Sequence, residues 1–140
     1  MKTIIKNARI VNEGNISKSD ILINGDLIQE IGQNILVNGE EKIIDAEGCF
    51  LIPGIIDDQV HFREPGFTHK GTIYSESKAA VAGGITSYFE MPNTNPQTTT
   101  ISELKNKFEI AAKNSFSNYS FMFGGTTVSY THLRAHETSD

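Results

Sequence analysis

Leu51-Ile52-Pro53-Gly54-Ile55-Ile56-Asp57-Asp58-Gln59-Val60-His61-Phe62-Arg63-Glu64-Pro65-Gly66 is an apolar run that enters through Pro-Gly, begins to alternate, and stops at a second Pro-Gly. On a β-strand, side chains two apart share a face. The alternation therefore predicts one row holding Asp57, Gln59, His61 and Arg63, with Val60 and Phe62 on the opposite side. A carboxylate, an amide, an imidazole and a guanidinium together make a poor core. At the end of a strand they make a floor for a metal ion and an anionic substrate.

Downstream of this stretch the pattern is one of alternating strands and helices. Strand one is expected from about Phe50 to Phe62, followed by a loop over 64–72. A helix is expected from Ile73 to Ala82 and ends at Gly83-Gly84. Ile85-Thr86-Ser87-Tyr88-Phe89-Glu90-Met91 is β-branched and aromatic and reads as strand two, broken by Pro92. Asn93-Thr94-Asn95-Pro96 reads as a turn. Thr100-Ile101-Ser102-Glu103 has capping-box spacing. From there Ile101, Leu104, Phe108 and Ala111 give a helical stripe through about Lys113. Tyr119 to Phe123 reads as strand three, closed by Gly124-Gly125. Strand-helix-strand-helix-strand is the order of parallel α/β units.

Upstream, residues 2–50 read as short strands. Ile4 to Val11 is one. Ile21-Leu22-Ile23 and Leu27 to Ile31 form a hairpin about Asn24-Gly25-Asp26, and Lys42 to Ala46 is another strand. No titratable cluster is visible there, so this region is expected to pack rather than to react.

Composition narrows the class. A net charge of -5 gives no support to nucleic acid or an anionic membrane as partner. No apolar run approaches the roughly 20 residues of a membrane span. The residues after Met1 do not resemble a signal peptide, and the lone Cys49 rules out an internal disulfide framework, so a cytoplasmic location is expected. Cys49, between Gly48 and Phe50, reads as a small buried filler rather than a nucleophile.

The Asp57-to-Gly66 row resembles the Asp-x-His-x-His-x-Arg-Glu-Pro-Gly signature of dihydroorotase and its cyclic-amidohydrolase relatives in the amidohydrolase superfamily. It matches at every position but one: Gln59 stands where the family has its first histidine. Met91-Pro92-Asn93-Thr94-Asn95-Pro96 resembles a second family motif. The resemblance covers about residues 2–126. It implies an α/β fold: a β-sandwich portion over 1–52, completed by a far C-terminus, then the first three strand-helix units of a (β/α)8 barrel over 53–127. Such a barrel needs about 250 residues. The 140 residues here therefore read as the N-terminal fragment of a longer enzyme, inactive by itself. Residues 128–140 have no clear period and read as a non-native tail. Its His132-x3-His136 pair lacks further ligands and is not taken as a site.

The resemblance implies reversible, metal-dependent hydrolysis of dihydroorotate to N-carbamoyl-L-aspartate, a step of pyrimidine synthesis. His61 would be a metal ligand; without the motif around it, a lone hydrogen-bonded loop histidine would be the simpler reading. Zinc, one or two ions, suits imidazole as a borderline acid. Gln59 is a poor zinc ligand, so the first ion should bind weakly or be absent. Arg63 would hold the substrate carboxylate, against a plain salt bridge to Glu64 or another acid. Asn93 would hydrogen-bond the substrate, against a plain turn role. Asn95 reads as a turn residue, and His69 and Lys70 as a solvated loop. The general acid/base would lie downstream. Two other readings stay open: an allantoinase- or hydantoinase-type enzyme, and a non-catalytic dihydroorotase-like subunit partnering aspartate carbamoyltransferase. A homo-oligomer is expected of the full-length form.

Overall fold

The structure, a computed structural model, describes residues 1–125; the expectations for the tail and for His132 and His136 lie outside them. The chain divides into two compact units, Met1–Pro53 and the part that starts at Gly54.

The first unit is one mixed five-stranded sheet. β1 (Lys2–Asn12), β2 (Asn15–Asn24) and β3 (Leu27–Gly32) form an antiparallel meander. On its other edge β1 pairs in parallel with β4 (Lys42–Asp45) and then with β5 (Phe50–Leu51). The hairpin at Gly25 is as expected, with Gly25 at φ +60°. The hairpin between β1 and β2 is not announced by the sequence. Its two-residue loop, Glu13-Gly14, has φ +48° and +76°, as a primed turn requires, and a glutamate takes the position where asparagine is usual. Ile4, Leu22 and Ile35 form the core.

A titratable cluster does exist in this unit, contrary to expectation. Asp20 on β2 is buried and takes three partners. Its Oδ1 accepts from the Asn7 N–H at 2.9 Å, and its Oδ2 accepts from the Ile35 N–H at 3.1 Å. Lys6 Nζ lies 2.7 Å from Oδ2 and also donates to the Ile35 carbonyl. Lys6, Asp20 and Ile35 are far apart in sequence, so no local pattern could display the cluster. Cys49 is exposed rather than buried. It ends a tight turn, with its N–H on the Ala46 carbonyl, which leaves its side chain outside the core.

The long first strand is also corrected. It is two strands: β5 belongs to the first unit and β6 (Ile55–Val60) to the second. Pro53 between them has no N–H for a ladder. Gly54 is required by space, since a Cβ there would lie 2.2 Å from the Thr86 hydroxyl oxygen.

The second unit is a three-stranded parallel sheet in the order β6-β7-β8, with β7 spanning Ile85–Glu90 and β8 spanning Asn118–Phe121. α1 (Ile73–Ala82) and α2 (Ile101–Asn114) connect the strands. Both helices start in capping boxes, at Thr72 with Ser75 and at Thr100 with Glu103. Val60, Phe62, Ile73, Ala80, Tyr88, Ala111 and Phe121 form the core. Tyr88 is central: its ring lies 4.5 Å from that of Phe62, its hydroxyl donates to Ser115 Oγ, and burial pushes its pKa up to about 12. The face α2 buries differs from the predicted stripe. Ile101 is exposed and Phe108 partly so, whereas Lys107 is buried beside Leu104 and Ala111. Among the described residues no helix is long and apolar enough to cross a membrane.

Candidate functional site

The C-terminal ends of β6 and β7 carry the candidate residues. The alternation read from the sequence holds from Gln59 to Phe62: Val60 and Phe62 are buried in the core, and Gln59 and His61 are exposed. The ladder loosens at Asp57. Its Oδ1 accepts from the Gln59 N–H at 3.1 Å, and the β6–β7 register shifts between Asp57 and Val60. A local Asx bond thus competes with the strand. Asp57 turns its carboxylate to the backbone two residues on instead of leaving it free in the row.

Arg63 does not continue the row. It stands past the end of β6, at φ +73°. A non-glycine residue held there costs about 1–2 kcal/mol and needs support from its surroundings. Its N–H donates to Glu90 Oε1 at 3.2 Å, and its carbonyl accepts from the Phe67 N–H. Among the described residues its guanidinium makes no ion pair. Glu64 is not its partner, because Glu64 Oε2 accepts from the Ile73 N–H at 2.7 Å and so serves the first turn of α1.

The loop after β7 closes on the loop after β6. The Asn95 N–H donates to the Pro65 carbonyl at 3.1 Å. Gly66, at φ +91°, lies so close that a Cβ would come 2.1 Å from the Asn95 carbonyl oxygen. This contact aligns two side chains that the sequence singled out separately: His61 Nδ1 lies 3.0 Å from Asn93 Oδ1. A carbonyl oxygen can only accept, so Nδ1 is the donor of this contact, and in the neutral ring Nε2 would be the nitrogen with the lone pair. That tautomer suits a metal ligand whose other nitrogen is oriented by a neighbouring oxygen. The donor set is partial, however. Gln59 offers a neutral amide, and among the described residues no group of three His, Cys, Asp or Glu side chains converges as a metal site would require. His69 stacks edge-on against Phe67, and Lys70 lies over the same ring; neither reaches His61 by any bond.

Beneath Arg63 lies a buried ion pair that sequence reasoning missed. Lys107 Nζ of α2 lies 2.6 Å from Glu90 Oε2 at the end of β7, each side chain 1% exposed. Lys107 also donates to the Met91 carbonyl at 3.2 Å and sits 4.8 Å from the centre of the Phe121 ring. Burial pushes the Glu90 carboxyl up and the Lys107 ammonium down, each opposed by the charge of the other. The signal was present. Glu90 is the one charged residue of its strand, and Lys107 stands three residues after Leu104 and four before Ala111, on the inward stripe.

A parallel β/α unit with its unusual polar groups gathered at the C-terminal strand ends defines a protein of the α/β class, of the kind that builds sites on strand-end loops. The dihydro-orotase-like family matches residues 48–129. A dihydroorotase of Carboxydothermus hydrogenoformans is 50% identical over 98 residues, covering 69% of this chain and 23% of that protein. A dihydroorotase of Methanosarcina acetivorans is 40% identical over 130 residues, covering 93% of this chain and 28% of its own length. Among solved structures, the L-hydantoinase (dihydropyrimidinase) of Arthrobacter aurescens superposes with a TM-score of 0.86 at 30% identity, over 96% of this chain and 30% of its own. The chain belongs to the dihydro-orotase-like family, among the cyclic amidohydrolases. It spans about a quarter of the length of the curated relatives it matches.

Proposed function

We propose that a protein of the relatives' length carrying these residues is a dihydroorotase, which adds water reversibly across the cyclic amide of dihydroorotate to give N-carbamoyl-L-aspartate. The observation that carries the reading is the meeting of His61 and Asn93 at 3.0 Å, beside an Arg63 whose guanidinium has no ion pair among the described residues. Arg63 binds the substrate carboxylate in a two-pronged contact. Asn93 orients the His61 ring through its carbonyl and keeps its amide NH2 for the substrate. His61 contributes one imidazole to a zinc ion, with the remaining ligands and the general acid/base coming from outside the described residues. When bound, zinc supplies a polarised carbonyl and a water of lowered pKa. Gln59, a neutral amide where the family has its first histidine, weakens or removes the first ion, the one to which His61 contributes.

The three parallel strands are read as the opening strands of a (β/α)8 barrel. Parallel sheets are normally covered on both faces, and the edge strand β6 leaves Ile55 and Ile56 exposed. The first sheet is read as one layer of a sandwich, because Leu27, Ile28 and Ile31 of β3 and Ile43 and Ile44 of β4 are exposed as well. A cytoplasmic enzyme of the pyrimidine route, assembled as a homo-oligomer with or without aspartate carbamoyltransferase, follows from this reading.

The test is made on the full-length protein. Zinc content and cyclisation of N-carbamoyl-L-aspartate are measured for the parent, His61→Ala and Arg63→Met. The expected result is turnover in the parent, loss of zinc in His61→Ala, and a raised KM in Arg63→Met. A hydantoinase-type reading has the support of its structural neighbours. It predicts turnover of an uncarboxylated cyclic amide in preference to dihydroorotate. A parent that holds no metal and turns over neither compound is the non-catalytic subunit that Gln59 allows.

A further inference from the structure

The buried pair Glu90–Lys107 has no place in the chemistry proposed above, yet it ends directly on the residue that chemistry needs. Arg63 sits at φ +73°, a conformation an L residue keeps only where its surroundings hold it. Its N–H donates to Glu90 Oε1 at 3.2 Å. The other carboxylate oxygen, Oε2, faces Lys107 Nζ at 2.6 Å, and Lys107 is in turn anchored to the Met91 carbonyl. Both side chains are sealed in the core, where a charge is retained only with a partner. The chain of contacts runs from α2 through the end of β7 to the turn after β6.

We propose that Glu90, fixed by Lys107, is a positioning residue that sets the backbone at Arg63 and so aims its guanidinium at the substrate carboxylate. This rests on the substrate role given to Arg63 above, and the experiment separates the two ideas. Two double variants of the full-length protein are compared. Glu90→Gln/Lys107→Met removes the ion pair and keeps an oxygen able to accept from the Arg63 N–H. Glu90→Leu/Lys107→Met fills the same space with no acceptor. Replacing a buried pair by apolar residues of similar volume is often tolerated, and a thermal melt confirms that each variant is folded. Hydrogen exchange of the Arg63 amide reads the positioning; KM and kcat for N-carbamoyl-L-aspartate read its consequence.

The Gln/Met variant is expected to keep both the protection of the Arg63 amide and the parent KM. The Leu/Met variant should lose about tenfold in protection and raise KM about tenfold with kcat little changed, as expected for one lost hydrogen bond to a substrate-holding residue. Equal behaviour of the two variants overturns the proposal, as does unchanged exchange in the Leu/Met variant. If Arg63→Met leaves KM unaltered, the substrate role of Arg63 falls instead. The exchange contrast then still decides whether Glu90 sets this turn.

Discussion

At residue 66 a single methyl group is enough to separate the two loops of the site. The Gly66 φ of +91° is open to glycine at no steric cost, and the Asn95 carbonyl occupies the place of a Cβ. Gly66→Ala therefore both strains the backbone and forces the Asn95 loop away. The loss should be about 1–3 kcal/mol from the backbone conformation alone, with the clash added to it. Because Asn93 lies two residues before Asn95, the His61–Asn93 contact should open as well. The check is a urea unfolding curve together with the NMR signal of the His61 Nδ1 proton. An unchanged midpoint and an unchanged proton signal would show that the loops are not coupled. Asn95, read from sequence as a mere turn residue, has a further role at the junction: its N–H donates to the Pro65 carbonyl, and its carbonyl and Cβ pack against Gly66.

At the scale of elements, the helices were the most legible parts because their signals are local. Thr100 and Glu103 stand three apart and do what that spacing suggests. The Glu103 N–H donates to Thr100 Oγ1, and the Glu103 carboxylate takes the N–H groups of Thr99 and Thr100, which hold its pKa below the usual range. Thr100→Ala should cost α2 about 1 kcal/mol, seen as a lowered denaturation midpoint with the sheet unchanged. Thr100→Ser should restore it. Strand boundaries were less legible. The run from Phe50 to Phe62 is apolar enough for one strand; Pro53 marks the break locally, but the crowding of Gly54 against Thr86, 32 residues later, shows only in the fold. The same distinction divides the site. His61, Arg63 and Asn93 stood out as polar residues in short motifs. Glu90 and Lys107 did not, since the one acid of β7 and one of the three lysines of α2 acquire a joint meaning only when β7 and α2 pack.

For the molecule as a whole, the charge cluster of the first unit sets how it meets acid. Burial by itself would raise the Asp20 pKa. The Lys6 ammonium and the N–H groups of Asn7 and Ile35 outweigh it and hold the carboxyl below its ordinary 3.8. Asp45 is lowered too, chiefly by the Asn7 side-chain amide, which donates to its Oδ1 at 3.0 Å. Asn7 thus connects both carboxylates at the irregular point of β1, where its own φ is +62°. A group with a depressed folded pKa gives stability that is fully present above its unfolded value. That stability is lost as the pH falls through the folded value. The first unit should therefore hold steady from neutral pH to about 4 and weaken below it as Asp20 takes up its proton. Asp20→Asn keeps the shape and removes the charge. It should lower stability at neutral pH by about 1–3 kcal/mol, as a buried network losing one charged partner does, and flatten the acid slope. The amide exchange of Leu22, in the core of that unit, followed from pH 6 to pH 3 in the parent and in Asp20→Asn, reads both effects. Parallel curves for the two proteins would mean that Asp20 is not the group through which acid acts.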